Sequence, residues 1–299
     1  MKKEKRSLFN MIFGNKIQQM VNDRTLKLLS GYNATYSNVS DEIGENIIAK
    51  ECIHVIATHC AKMMPKHYQQ NGDVKNHIQG AIDYIISIKP NPYMTTYDFI
   101  YKIVSLLLAQ NNEYIYIDID SKGNLRGLYP LNPLFCTLVE CNNEIWLKFQ
   151  FLDGNTYYVR YDRVIHLRNF YVKHDFYGET NETLKGALET QTVADDGIKN
   201  AIKISASLRG VLKASQAMLK DKDIEKMKNE FVESLLSSTD GIGGLDARLD
   251  FKEINLNPVL LDKEQLSMVN GNIYGYFMIS EEIIKSKYTA DEWNAFYES

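Results

Sequence analysis

No stretch of this 299-residue chain approaches the roughly 20 consecutive apolar residues of a membrane-spanning helix, so the sequence predicts no membrane contact of that kind. Nor is there an excess of positive charge. Lys and Arg number 34 against 38 Asp and Glu, a net of -4, which argues against a protein whose main task is to grip nucleic acid by neutralising phosphates. Cysteine is scarce. Cys52, Cys60, Cys136 and Cys141 are too few and too scattered for a disulfide framework and read as free thiols of a chain folded in a reducing compartment. Internal repeats and low-complexity tracts are missing, and Gly241-Ile242-Gly243-Gly244 lacks the lysine and flanking serine or threonine of a phosphate loop. Lys2, Lys3, Lys5 and Arg6 precede an apolar run as in a signal peptide, but Asn10 interrupts the run and no small-residue cleavage site follows promptly.

What is present is ordinary globular material, 44% hydrophobic and 24% charged, enough for two or three compact units. Ile47, Ile48, Cys52, Val55, Ile56 and Cys60 recur at helical spacing, and Pro65 closes that helix. A second helix is expected from Thr96 to Ala109. The period then changes to two: Tyr114, Tyr116 and Asp118 alternate with Ile115, Ile117 and Ile119, and Ile145, Leu147, Phe149 and Phe151 alternate with polar or amphipathic neighbours. Asp153-Gly154-Asn155 turns the chain back into another strand. The reading is α+β, an antiparallel sheet packed with helices. After Gly178, the residues Leu184, Ala187, Leu188, Ala194, Ile198, Ala201, Ile202 and Leu208 make a long stripe of mostly small side chains, spanning roughly 35 Å as a helix. Val211 to Ala214 reads as a strand, Asp221 as the cap of a helix bearing Ile224, Met227, Phe231 and Leu235, and Leu249, Phe251 and Ile254 as a further strand. Asp262 and Gln265 form a capping box for a helix carrying Leu266, Val269, Ile273 and Phe277.

Three constellations invite chemistry. Cys52, His54, His59 and Cys60 include zinc-ligand types, but on one helix His54 points about 160° from Cys52, so the four do not converge locally and buried helix cysteines fit better as core. Asp118 and Asp120 share a strand face and could hold magnesium as in a metal-dependent nuclease or maturation enzyme; beside the turn Ser121-Lys122-Gly123-Asn124 they read better as solvated hairpin residues. His166 lies in an apolar strand without an evident nucleophile and fits a structural histidine better than a general base.

The order of phrases between Leu108 and Gly178 says more than any of these. An apolar helix runs into Asn111-Asn112-Glu113-Tyr114-Ile115-Tyr116-Ile117; then come Gly127-Leu128-Tyr129-Pro130-Leu131-Asn132-Pro133, a hairpin, Arg163-Val164-Ile165-His166-Leu167-Arg168-Asn169-Phe170, and Tyr177-Gly178. That succession resembles the portal proteins of tailed double-stranded DNA phages, specifically the HK-type siphophage family. The resemblance implies a portal fold: a mixed helix and antiparallel-sheet wing over residues 1–183, stem helices over 184–209 and 262–279, a small strand-helix-strand clip over 210–261, and a channel loop over 280–290. It further implies a homo-oligomeric ring of about twelve subunits in the virion, at a capsid vertex, formed in the host cytoplasm. Double-stranded DNA would pass through it, the large terminase would dock on the clip, and capsid and scaffold proteins would contact wing and stem. No catalytic residue, cofactor, metal or membrane is expected. Stem packing falls to Ala194, Ile198, Ala201 and Ile202, and DNA contact in the channel loop to Lys285 and Lys287.

The match has departures. Family members follow the second stem helix with a glycine-valine-proline step, where this sequence has Phe277-Met278-Ile279-Ser280-Glu281-Glu282. Gly271 and Gly275 lie inside that helix, each at a cost of about 1 kcal/mol relative to alanine. Thr289 and Glu292 form another capping box ahead of Trp293, Phe296 and Tyr297, yet the sequence given stops at Ser299 after about two turns. This is expected to be a truncation before the helical crown.

Overall fold

The computed structural model describes residues 27–28, 35–37, 43, 46–172, 174–205, 210–214, 225–226, 228–233, 249–253 and 262–298. The expectations that rest on Asp221, Ile224, Met227, Leu235, Leu208, Ile254, Gly241 to Gly244 and the N-terminal segment lie outside them. The described chain divides into two compact units, one built from Met1–Thr190 with Ser267–Ser299 and the other from Gln191–Leu266.

The first unit is layered. Its outer sheet follows the order β1 (Lys27–Leu28), β7 (Phe135–Cys141), β8 (Glu144–Gln150), β9 (Thr156–Arg160), with β2 (Thr35–Ser37) also on β7; every pairing is antiparallel. A three-stranded sheet, β10 (Val164–Arg168), β5 (Asn112–Ile119), β6 (Leu125–Leu131), packs against it. The period-two alternation explains the layering. Tyr114 and Tyr116 turn one face of β5 to a core of Leu138, Leu147, Phe149, Tyr157 and Val159 from the outer sheet, while Ile115 turns the other face to Phe99 and Ile100 of a helix.

That helix is α3 (Thr96–Gln110), opened by a capping box between Thr95 and Asp98. It lies on α1 (Ile47–Ala61), which Asn46 caps by accepting from the Ala49 amide at 3.1 Å. Between them come a two-stranded hairpin, β3 (Tyr68–Asn71) with β4 (Val74–His77), and α2 (Ala81–Ser87). The far side of α1 supports the start of α4 (Glu182–Ser205) and the end of α5 (Lys263–Tyr276). Cys52 and Ala49 meet Leu184, Leu188, Ile273 and Phe277 there, with Ile279 and Ile283 from the segment that follows. Two short helices, α6 (Glu281–Ile284) and α7 (Ala290–Glu298), complete the unit.

The anticipated boxes form: Gln265 N donates to Asp262 Oδ1 at 2.7 Å and Asp262 N to Gln265 Oε1 at 3.1 Å, while Thr289 N donates to Glu292 Oε2 at 2.6 Å. Gly271 and Gly275 lie within α5 without breaking it, and the helix stops at Tyr276, short of Ile279, because Met278 turns to φ 53. In the second unit β11 (Gly210–Ala214) pairs antiparallel with β12 (Leu249–Glu253), and residues 228–233 between them are helical.

Candidate functional site

The most densely connected polar site lies where α3 ends and β5 begins. Asn111 is the C-cap of α3 in the left-handed conformation at φ 57, which asparagine tolerates better than other residues with a side chain. Its amide Nδ2 donates to the Glu179 carbonyl at 3.0 Å, to Asn181 Oδ1, and to Tyr276 Oη at 3.2 Å. Its carbonyl accepts from Asn169 N at 2.9 Å. Tyr276, the last residue of α5, donates its hydroxyl to Asn181 Oδ1 at 2.6 Å, and Asn181 Nδ2 donates to the Ala109 carbonyl at 2.7 Å. One asparagine thus ties α3, the end of β10, the loop before α4 and the end of α5 together.

Asn112, fully buried, is the second half of this hub. Gly178 N donates to its Oδ1 at 2.8 Å, and its Nδ2 donates back to the Gly178 carbonyl at 3.2 Å, so the side chain pairs with a backbone as a strand would. This fixes the amide orientation and, with it, the histidine tautomer. His166 Nε2 lies 3.1 Å from the same Oδ1, which is an acceptor, so Nε2 carries the proton and Nδ1 accepts from the Tyr161 hydroxyl at 3.3 Å. Burial, with a smaller contribution from Arg168, lowers the His166 pKa to about 3, keeping the ring neutral and stacked on Tyr114 at 4.4 Å. Gly178 admits nothing larger: a Cβ there would collide with the backbone oxygens of Asn111 and Asn169. Beside the hub, Glu113 is fully buried with no hydrogen-bond partner on either carboxylate oxygen. Burial raises its pKa well above the ordinary value, against the pull of Lys102.

Of the residues singled out from sequence for chemistry, His166 lies in the hub and the others fall elsewhere. Asp118 reaches Arg126 at 3.8 Å, and Asp120 spends its oxygens on the turn, accepting from Lys122 N and Asn124 N at 2.8 Å each. Cys52 is packed in the core with its thiol pushed up to about 12 by burial, while His54 bonds Tyr101 Oη at 2.9 Å. His59 meets Tyr297 Oη at 2.9 Å inside a ring of Trp293, Phe296 and Tyr297, which seats α7 on α1. Among the described residues no three His, Cys, Asp or Glu side chains are placed to share a metal ion. No described helix is long and apolar enough to cross a membrane.

Within this chain Ala194 and Ala201 are buried, Ile198 is half-buried, and Ile202 is 64% exposed. Lys285 pairs with Glu281, and both Lys285 and Lys287 are exposed on the turn after α6, where Ser286 takes φ 54. In the sequence Asn111, Asn112 and Gly178 stand as parts of one phrase, with nothing local to show that Asn112 pairs with Gly178. The available signal was two adjacent asparagines between an apolar helix and a strand.

The family model described as phage portal protein matches residues 48–296. No curated protein sequence matches the chain. Among solved structures, a chain in the neck of a native gene transfer agent particle, computed with C12 symmetry, superposes with a TM-score of 0.65 at 18% identity, covering 90% of this chain and 78% of that one. A chain from the neck of the empty particle, computed with C6 symmetry, gives 0.66 at 18% identity with the same coverage. An HK97 family phage portal protein from Corynebacterium diphtheriae gives 0.53 at 13% identity, covering 87% and 85%. At these identities the likeness establishes a shared fold of helices and antiparallel sheets.

Proposed function

This chain belongs to the phage portal protein family, and we propose that it is one subunit of a closed ring at a capsid vertex of a virion, through which double-stranded DNA is packaged and ejected. The family match over residues 48–296 carries the reading. The family is structural rather than enzymatic, and the buried hub fits that role, since its histidine is neutral and its amides are used up in joining elements. The C6 and C12 symmetries of the neck structures with this fold support a homo-oligomer of about twelve. A cyclic ring requires each subunit to bury two different surfaces against its neighbours.

In this reading residues 1–183 form the wing, 184–209 and 262–279 the stem, 210–261 the clip, 280–290 the channel loop, and 291–299 the approach to a crown. The large terminase docks on the clip, and capsid and scaffold proteins contact wing and stem. The stem helices carry a second support. Gly186, Thr190, Val193 and Gly197 share one face of α4, and Met268, Gly271 and Gly275 one face of α5; all are exposed, and a Cβ on any of the four glycines would meet nothing within 4 Å. Intrachain packing has no need of these glycines, each of which weakens its helix by about 1 kcal/mol. Close approach of a neighbouring helix does. Ala194, Ile198, Ala201 and Ile202 complete the stem packing, and Lys285 and Lys287 touch passing phosphates weakly.

Negative-stain images of the purified chain test this directly. Rings with a central hole are expected, and a protein that stays monomeric at every concentration would refute the assignment.

A further inference from the structure

Two exposed apolar features sit at opposite ends of α1. The first is an open pocket of about 290 Å³ beside the hub, with Phe170, Tyr276 and Met278 as its apolar wall and Glu179, Thr180 and Thr183 as its polar wall. Gly275 also lines it and leaves its mouth wide, since nothing lies within 4 Å of where its Cβ would be. Phe170 and Met278 both adopt left-handed backbone, at φ 47 and φ 53, a conformation costly for bulky side chains and usually kept where a surface needs it. Both turn apolar surface to solvent, Met278 at 76% exposure. The second feature is the turn after α1, where Met63 and Met64 are 58% and 81% exposed between Lys62 and Lys66. α1 is 15 residues long, so about 22 Å separates its ends. Ala61 at one end packs near Phe99, and Cys52 toward the other packs with Leu184 and Ile273.

We propose that Met64 of one copy, with Met63 beside it, inserts into the Phe170–Tyr276–Met278 pocket of the next copy, making a knob-and-hole contact that repeats around the ring. This rests on the ring reading above and names one of its contacts. The charges favour this knob over Leu152. Glu179 is the charged residue lining the pocket, and Lys62 and Lys66 flank the methionines, whereas the equally prominent Leu152 has Asp153 next to it and would bring like charges together. Methionine also adapts to an irregular hole better than a branched side chain. Because knob and hole lie at different places on the subunit, the contact is heterologous, as a closed ring requires.

The test places a photo-crosslinking amino acid at position 64 of the full chain, mixes isotopically light and heavy chains, and maps adducts by mass spectrometry after irradiation. Rings carrying light-to-heavy adducts on residues 170–183 or 275–278 are expected. Rings with adducts elsewhere overturn this contact and leave the ring reading standing, whereas a chain that never forms rings or adducts overturns both. A second arm uses Met278→Gly, which relieves the left-handed backbone while deleting the pocket wall. The isolated subunit should melt higher, yet the concentration for half-assembly should rise by about 10-fold. Unchanged assembly in this variant overturns the proposal.

Discussion

The hub at Asn111 and Asn112 and the outward faces of α4 and α5 are built on opposite rules. In the hub, polar groups are enclosed and the described amides find partners within the same chain, down to a glycine that no other residue can replace. On α4 and α5, four glycines sit in helix interiors with open space around them, and Val193, Ile202 and Met268 are 72%, 64% and 72% exposed. The first region makes sense for one chain alone. In the ring reading proposed above the second meets a neighbour, so the pair would separate what folds the subunit from what assembles it.

The largest expected effect lies in the hub. Gly178→Ala forces a methyl group onto two backbone oxygens and should cost at least about 4 kcal/mol, leaving little soluble protein. Urea unfolding of whatever is recovered checks this, and near-normal stability would show that the loop after β10 can yield.

Next comes acid sensitivity. His166 has its pKa lowered from 6.5 to about 3, so the unfolded chain binds the extra proton between those values; its contribution is complete above about pH 6.5 and is lost as pH falls toward 3. Glu113 has its pKa raised, so its contribution is present below its ordinary value of 4.5 and is lost as pH rises through the folded value. Melting curves of wild type and His166→Gln should therefore converge on acidification, while Glu113→Gln should melt higher than wild type near neutral pH and gain nothing in acid. Parallel pH curves for all three proteins would contradict the two assignments.

Smaller, and opposite in sign between the two regions' concerns, is Gly186→Ala with Gly197→Ala. Each should stabilise α4 by about 0.5–1 kcal/mol in the isolated subunit while lowering the yield of rings. Ring yield equal to wild type would deny that the glycine face meets a neighbour. Least of all, Lys285→Ala with Lys287→Ala should leave folding and rings intact and change only DNA packaging or retention, more so at low salt, where screening weakens. Packaging assays across salt concentrations that match wild type throughout would remove these lysines from the channel.

Local patterns announced much of the fold. The capping residues Asp262 and Thr289 and the alternation through Tyr114–Ile115–Tyr116 use interactions within a few residues, and each appears where the pattern puts it. What stayed hidden joins distant positions. The pairing of Tyr36 with Cys136, of Asn111 with Asn181 and Tyr276, and of His59 with Tyr297 spans loops whose closure leaves no local signature. The left-handed turns at Phe170 and Met278 were hidden for a further reason: neither residue favours that backbone, so tertiary contacts have to impose it.

The bond from the Gly178 amide to Asn112 also sets a clock. Among the described residues 171–172 and 174–181 none lies in a helix or strand, and by that measure their amides should exchange with deuterium in seconds, as in any surface connection. Gly178 N–H instead points at a buried side-chain oxygen that moves only if β5 moves. Its exchange should therefore be as slow as that of the central strand, with fast-exchanging neighbours on the exposed side of the loop. A protected amide there would mark that part of the irregular segment as belonging to the cooperative core.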